Sequence, residues 1–215
     1  MYQEVITILV LTDIHAQHLH HVDLIRNMVK DRDVDAVVLN GDNVNGKEWR
    51  LLHKQLEGVF VKTPLLVTWG NHDGNDAVMA NRQALYNTHS ERTSKTLGGV
   101  SLVGLDSGGG WRVMDMRRSW WPWNVRSRYR GIRSHVLDKP FQNCSLVFTH
   151  IIPREVENMI KENRYIAKGH WPNTVTPDCG DTDVLTKLWK SGVRHVFTGH
   201  NHCNLGTLIP KKELF

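Results

Sequence analysis

Residues 4–13 read Glu-Val-Ile-Thr-Ile-Leu-Val-Leu-Thr-Asp, an apolar run that ends in two polar residues. The run is rich in β-branched side chains and too short for a buried helix, so it predicts a β-strand. Apolar side chains on both faces are typical of a central strand that is covered on both sides. Asp13 is then expected at the carboxyl end of this strand.

Helices and strands alternate after this run. Apolar residues spaced three and four apart predict helices, and short apolar runs predict strands. The predicted helices are at 19–29, 49–60 and 181–191, and the predicted strands at 36–39, 64–68, 144–149 and 195–198. This alternation indicates an α/β layered fold with a largely parallel sheet. With 215 residues the chain can bury a large core, and we expect a single domain over residues 1–215.

The composition limits the class of protein. Three cysteines without a Cys-x-x-Cys spacing argue against a disulfide framework and against a zinc site built from thiolates. No apolar stretch approaches the ~20 residues that span a bilayer, and the first residues lack the features of a secretory signal. We therefore expect a soluble cytoplasmic protein without a membrane partner. The sequence leaves its oligomeric state open.

Residues 107–135 interrupt the alternation and predict an insertion or a long loop. Within them, residues 111–135 hold seven arginines against Asp115 alone, so the formal net charge of +5 is a local feature. The arginines could grip a polyanionic substrate, and the four tryptophans of this segment could stack on a base. The tryptophans could equally pack the segment onto the sheet. We favour packing, so nucleic acid is the less favoured partner.

Residues that can bind metals follow the predicted strands, where the loops of an α/β sheet hold its ligands. Asp13 and His15 are two residues apart, as are His200 and His202, and extended backbone points such pairs to the same side. Glycines nearby permit tight turns. The candidate metal ligands are Asp13, His15, Asp42, Asn71, His150, His200 and His202.

The donor set decides which metals are expected. Mixed oxygen and nitrogen donors suit two borderline divalent cations such as Mn²⁺, Fe²⁺, Co²⁺, Ni²⁺ or Zn²⁺, whereas Mg²⁺ and Ca²⁺ prefer oxygen alone. Each motif is weak by itself, but five in this order at strand ends are not readily explained by chance. Other histidines, among them His18, His20, His21 and His53, are interpreted as solvated or packed residues and not as ligands.

In chain order the motifs are Asp-x-His, Gly-Asp, Gly-Asn-His-Asp, a single His and Gly-His-x-His. From Val5 to about Leu208 the chain therefore resembles the calcineurin-like metallophosphoesterase superfamily. The ending Gly-His-Asn-His-Cys-Asn and the stretch 105–108 resemble the fungal and plant branch related to purple acid phosphatases. The resemblance implies a layered α/β/β/α sandwich with mixed, largely parallel sheets. It also implies metal-dependent hydrolysis of phosphate esters.

The resemblance assigns a role to each candidate residue, with Asp42 bridging the two metals. The first metal would be held by Asp13, His15, Asp42 and His202, and the second by Asp42, Asn71, His150 and His200. His72 would act on the substrate phosphoryl group as a catalytic residue, with Asp73 beside it in the motif.

The chain departs at two places from the motifs of related phosphatases, and these departures limit which metal and which substrate class the resemblance implies. Asn45 stands where purple acid phosphatases carry a tyrosinate, so a tyrosine-ligated Fe³⁺ is not expected. The stretch 41–46, Gly-Asp-Asn-Val-Asn-Gly, lacks the aspartate that partners the catalytic histidine in protein Ser/Thr phosphatases.

The expected mechanism follows from the metal pair. Two cations about 3.5–4 Å apart lower the pKa of a shared water, so that a bridging hydroxide can attack the phosphoryl group at neutral pH. Protonated His72 would then act as the general acid. We expect a phosphomonoesterase acting on a phosphorylated substrate. A phosphodiesterase or nuclease is the alternative, and a metal-binding scaffold without activity is a distant third.

Overall fold

The computed structural model describes residues 5–44, 49–70, 73, 92–107, 112–114, 126–128, 137–138, 140–141, 145–153, 155 and 183–200. Strands and helices alternate over much of this part of the chain. The elements are β1 (Ile8–Leu11), α1 (Leu19–Val29), β2 (Ala36–Asn40), α2 (Trp49–Val59), β3 (Leu65–Thr68), β4 (Arg92–Leu97), β5 (Val100–Leu105), β6 (Arg112–Met114), β7 (Arg126–Arg128), β8 (Ser145–Thr149), α3 (Val184–Lys190) and β9 (His195–Phe197).

The described strands form two larger sheets and one ribbon. The first sheet has the order β1-β2-β3 and is parallel throughout. The second has the order β4-β5-β8-β9, in which only the β4–β5 pair is antiparallel. Strands β6 and β7 pair with each other as an antiparallel ribbon. The predicted α/β class with largely parallel sheets is confirmed.

The two larger sheets pack face to face. Val38 of β2 and Phe148 of β8 are buried in the cluster between them. On the other face of the first sheet, Val37 is buried in a cluster formed with α1 and α2. On the outer face of the second sheet, Val147 is buried with Leu188 of α3. The order of layers is therefore helix, sheet, sheet, helix, which confirms the predicted sandwich.

Strand β1 was expected at the centre of a sheet with both faces covered. Both faces are covered, since Leu9 and Leu11 pack towards α1 and α2, and Ile8 and Val10 pack towards the second sheet. Among the described strands β1 pairs with β2, and its residues are half-buried, so its central place stays a prediction. Strand β2 is a central strand, since it pairs with β1 on one side and β3 on the other, and all five of its residues are buried.

Helix α3 begins at Val184, with Asp183 as its N-cap, and Gly192 follows its end with a φ of +89°. Its predicted start at Asp181 lies outside the described residues. So does most of the predicted insertion at 107–135, where the structure describes Ser107 and the strands β6 and β7. In the part of the chain that the structure describes, no helix is long and apolar enough to cross a membrane.

Candidate metal centre

The candidate ligands meet where loops leave the parallel strands of both sheets. Asp13 and His15 follow β1, and Asp42 follows β2. His150 comes directly after β8, and His200 follows β9. Five of the seven sequence-predicted ligands are thus brought to one region. The other two, Asn71 and His202, lie outside the described residues, as does His72.

These five residues form two groups of converging ligand atoms. One group is Asp13, His15 and Asp42, and the other is Asp42, His150 and His200. Within each group the ligand atoms lie within 4.8 Å of one another. Asp42 belongs to both groups, so its carboxylate is the one side chain that connects them.

Asp42 faces imidazoles on two sides. Its Oδ2 lies 3.1 Å from Nε2 of His150 and 3.8 Å from Nε2 of His15. The carboxylate is almost fully buried. Such a buried carboxylate, with histidine nitrogens on both sides, has the donor types and the place that a bridge between two cations requires.

The loop backbone differs from the expected extended form. Asp13, His15, Asp42 and His200 all have a positive φ, between 46° and 75°. The predicted extended backbone is therefore wrong for Asp13 and His15, although their ligand atoms do converge as predicted. Their amides instead donate hydrogen bonds to the carbonyls of Gly41, at 3.1 Å, and Asp42, at 2.9 Å, which fix the first loop against the second.

His150 is oriented by its other ring nitrogen. Nδ1 lies 3.0 Å from the carbonyl oxygen of Asn40, so it donates its proton there and Nε2 faces the carboxylates of Asp42 and Asp13. Burial alone would lower the pKa of His150, but the hydrogen bond and charge of Asp42, together with the charge of Asp13, raise it. The two carboxylates therefore favour positive charge at this point, as a cation site requires.

Two further residues hold the ligands and were missed by sequence analysis. The Thr12 hydroxyl donates to Oδ2 of Asp13 at 2.8 Å, while the amide of His200 donates to both Asp13 oxygens at 3.0 Å. Asn40 is fully buried, and its side-chain amide donates to the carbonyls of Thr149 and Phe197. These contacts tie the loops of both sheets together below the ligands.

Asp73 was predicted to take part in catalysis, and the structure places it beneath the loops. It is fully buried, and its oxygens accept hydrogen bonds from the amides of Asn43 at 2.9 Å, Val44 at 3.2 Å and Gly70 at 3.1 Å. Its carboxylate therefore joins the loop after β2 to the loop after β3.

The histidines that follow the first motif lie on the surface. His18 and His20 are exposed, and their rings stack with centroids 5.6 Å apart. His21 contacts both rings. Neither of the two converging groups of ligand atoms found among the described residues includes any of these histidines.

The model of a family described as calcineurin-like phosphoesterase matches residues 6–204, a range that contains every candidate ligand from Asp13 to His202. A search of curated proteins finds no match to the chain.

Proposed function

The chain belongs to the calcineurin-like phosphoesterase family, and on this basis we propose that it is a phosphomonoesterase that uses two divalent cations. Membership of this family indicates that the chain is a metal-dependent hydrolase that acts on phosphorylated substrates. The observation that carries the finer proposal is Asp42, whose carboxylate belongs to both groups of ligand atoms. One shared carboxylate between two sets of donors is the arrangement that a two-metal site needs.

The donors fit such a pair of cations. Asp13, His15, Asp42 and His202 would hold the first, and Asp42, Asn71, His150 and His200 would hold the second. The set mixes nitrogen with oxygen and contains no thiolate, which favours Mn²⁺, Fe²⁺, Zn²⁺, Co²⁺ or Ni²⁺. When bound, the cations supply hydroxide at neutral pH and neutralise charge on the phosphoryl oxygens.

The remaining steps belong to side chains of this chain. His72 donates a proton to the leaving oxygen of the substrate, since an alkoxide is otherwise a poor leaving group. Asn40 fixes His150 through its carbonyl, so that Nε2 of His150 is free of its proton when it serves as a ligand. Asp73 accepts hydrogen bonds from the amides of Gly70 and Asn43, and so joins the residue before Asn71 to the loop that contains Asp42.

Phosphodiester or nucleic-acid cleavage is the second candidate. It is supported by the arginines of β6 and β7. In the backbone register of this ribbon, Arg112 lies opposite Arg128. A basic ribbon suits a polyanion better than a small monoester.

We also propose that the chain lies in the branch of the family related to purple acid phosphatases. This proposal rests on the motif Gly-His-Asn-His-Cys-Asn and on the stretch 105–108.

A pair of assays tests the proposal. Purified protein loaded with Mn²⁺ is given p-nitrophenyl phosphate and, separately, bis-p-nitrophenyl phosphate, and its metal content is measured by elemental analysis. We expect faster turnover of the monoester with two metals per chain. Faster turnover of the diester supports the second candidate. Failure on both substrates with two metals bound contradicts both.

A further inference from the structure

Asp73 controls the spacing between two loops of the candidate site. The amides of Asn43 and Val44, the two residues after Asp42, both donate to its Oδ1. The amide of Gly70 donates to its Oδ2. A fully buried carboxylate that binds three backbone amides keeps these loops at a fixed separation.

This separation matters for the residues that follow Gly70. Asn71 and His72 come between Gly70 and Asp73 in sequence. The residue before this pair, Gly70, donates its amide to the carboxylate of the residue after it, Asp73. The proposed function gives Asn71 to the second metal and His72 to the leaving group. The proposed roles of both therefore depend on how firmly Asp73 is held.

His53 of α2 provides a further contact to this carboxylate. Its Nε2 lies 3.6 Å from Oδ1 of Asp73, and both side chains are fully buried. Its ring also packs against the ring of Trp69, with centroids 5.3 Å apart. Packing alone explains the burial of His53, but it does not explain why an imidazole nitrogen in an apolar cluster faces a carboxylate.

We infer that His53 is a positioning residue for the reaction proposed above, acting through Asp73 on the segment that contains Asn71 and His72. The inference rests on the proposed function for its effect on turnover. At 3.6 Å the two atoms lie beyond hydrogen-bond distance, so the contact is electrostatic, and in a buried site of low polarity it is stronger than it would be in water. His53 touches no substrate in this account, so its loss acts on turnover more than on substrate binding.

Three substitutions separate positioning from packing. His53→Gln keeps an N–H donor near the place of Nε2, His53→Asn is too short to reach Asp73, and His53→Leu removes the donor. Leu56→Ala is the control, because it removes buried apolar volume from the same helix without removing a polar group. If His53→Leu does not fold, His53→Asn still allows loss of the contact with Asp73 to be compared with loss of packing in Leu56→Ala.

The measurements are kcat and KM with p-nitrophenyl phosphate on metal-loaded protein. We expect kcat to fall about 10- to 100-fold in the Asn and Leu variants, since displacements of about 1 Å can cost this much, with KM within about 3-fold. The Gln variant should stay within about 3-fold of wild-type kcat. Leu56→Ala should lose stability and keep its kcat.

Hydrogen exchange gives a readout that does not depend on activity. In the Asn and Leu variants, the amides of Asn43, Val44 and Gly70 should exchange faster relative to those of the β2–β3 ladder. The ratio should not change in Leu56→Ala. If the wild-type protein has no phosphatase activity, the proposed function fails and this ratio alone decides the inference.

Either of two results overturns the inference. One is wild-type kcat in His53→Asn together with unchanged exchange of the three amides. The other is a loss of kcat in Leu56→Ala as large as that in His53→Asn, which would make the effect one of general destabilisation.

Discussion

Backbone conformation at single residues is what most clearly sets the candidate centre apart from the rest of the fold. Asp13, His15, Asp42 and His200 are non-glycine residues with a positive φ. Each such residue costs of the order of 1–3 kcal/mol and persists only where its surroundings determine it. No other non-glycine residue among those described has this conformation, so the strain is concentrated in the candidate ligands.

Removal of one ligand and of the proposed acid should have different effects. Asp42→Asn weakens a donor that both metals share, so the variant should lose metal from both sites and most of its activity. His72→Ala should keep its metal and lose about 10²–10⁴-fold in kcat, the range typical of a general acid. Elemental analysis and steady-state kinetics check this. Equal loss of metal in both variants contradicts the assigned roles.

Gly70 is needed for the close approach of two loops. A Cβ at this position would lie 2.7 Å from Cγ of Asp42 and closer still to its Oδ1. Gly70→Ala should therefore displace the shared carboxylate and weaken Mn²⁺ binding at least about 10-fold, which is about 1.4 kcal/mol. Calorimetric titration with Mn²⁺ measures the affinity.

Gly58→Ala is the matched control for this change. Gly58 lies in α2, where a Cβ would meet no atom within 4 Å. Alanine should stabilise the helix by about 0.5–1 kcal/mol and leave Mn²⁺ affinity unchanged. Unchanged Mn²⁺ affinity in Gly70→Ala would show that metal binding does not require the close approach of Gly70 to Asp42.

At the scale of elements, α3 depends on a residue far from it in sequence. Its N-cap residue Asp183 makes no side-chain cap, and Oε1 of Glu155 instead accepts the amide of Leu185 at 2.9 Å. Burial raises the pKa of Glu155, although its hydrogen bonds oppose the shift. The protonated carboxyl therefore stabilises the fold below its ordinary pKa, and this contribution is lost as the pH rises through the raised value.

Glu155→Gln should accordingly stabilise the protein at neutral pH. Glutamine keeps the acceptor for Leu185 without the buried charge, so its advantage over the wild type should shrink as the pH falls towards 4. Glu155→Ala removes the acceptor and should cost about 1 kcal/mol. Thermal unfolding at several pH values checks both. A stability difference between the Gln variant and wild type that does not change with pH would contradict the raised pKa.

The sequence analysis predicted β1, β2, β3, β8 and β9 from apolar runs, and it missed β4, β5, β6 and β7, of which β5 is itself apolar. β4, Arg-Thr-Ser-Lys-Thr-Leu, is mostly polar, and its middle residues are exposed at an edge of the sheet that the described strands form. The available signal was Gly98-Gly99, a two-residue turn with φ of +51° and +81°, which is typical of a tight hairpin.

At the scale of the whole molecule, one buried side chain joins the two sheets. Asn40 of β2 donates to the carbonyls of Thr149 and Phe197 in the second sheet and accepts the hydroxyl of Thr68 at 3.0 Å. The backbone carbonyl of Asn40 also orients His150. The sequence placed His150 at a strand end but could not reveal this contact, which joins residues 110 positions apart.

Replacement of Asn40 should affect stability and metal binding together. Asn40→Leu removes the partner of the buried Thr149 carbonyl and of the buried Thr68 hydroxyl, and each such group costs about 1–3 kcal/mol. We expect a loss of at least about 2 kcal/mol in unfolding free energy, measured with urea, and weaker Mn²⁺ binding. Asn27→Leu on the exposed side of α1 is the control and should change neither. Unchanged unfolding free energy and unchanged Mn²⁺ affinity in Asn40→Leu would contradict the role of the Asn40 side chain in joining the sheets.

The central claim is that one carboxylate, Asp42, connects two cations. Electron paramagnetic resonance during titration of metal-free protein with Mn²⁺ tests it most directly, because two ions that share a bridge are magnetically coupled. We predict the multiline spectrum of a coupled pair at two equivalents, and its loss in Asp42→Asn. A spectrum of isolated Mn²⁺ at every ratio in the wild-type protein would contradict the account.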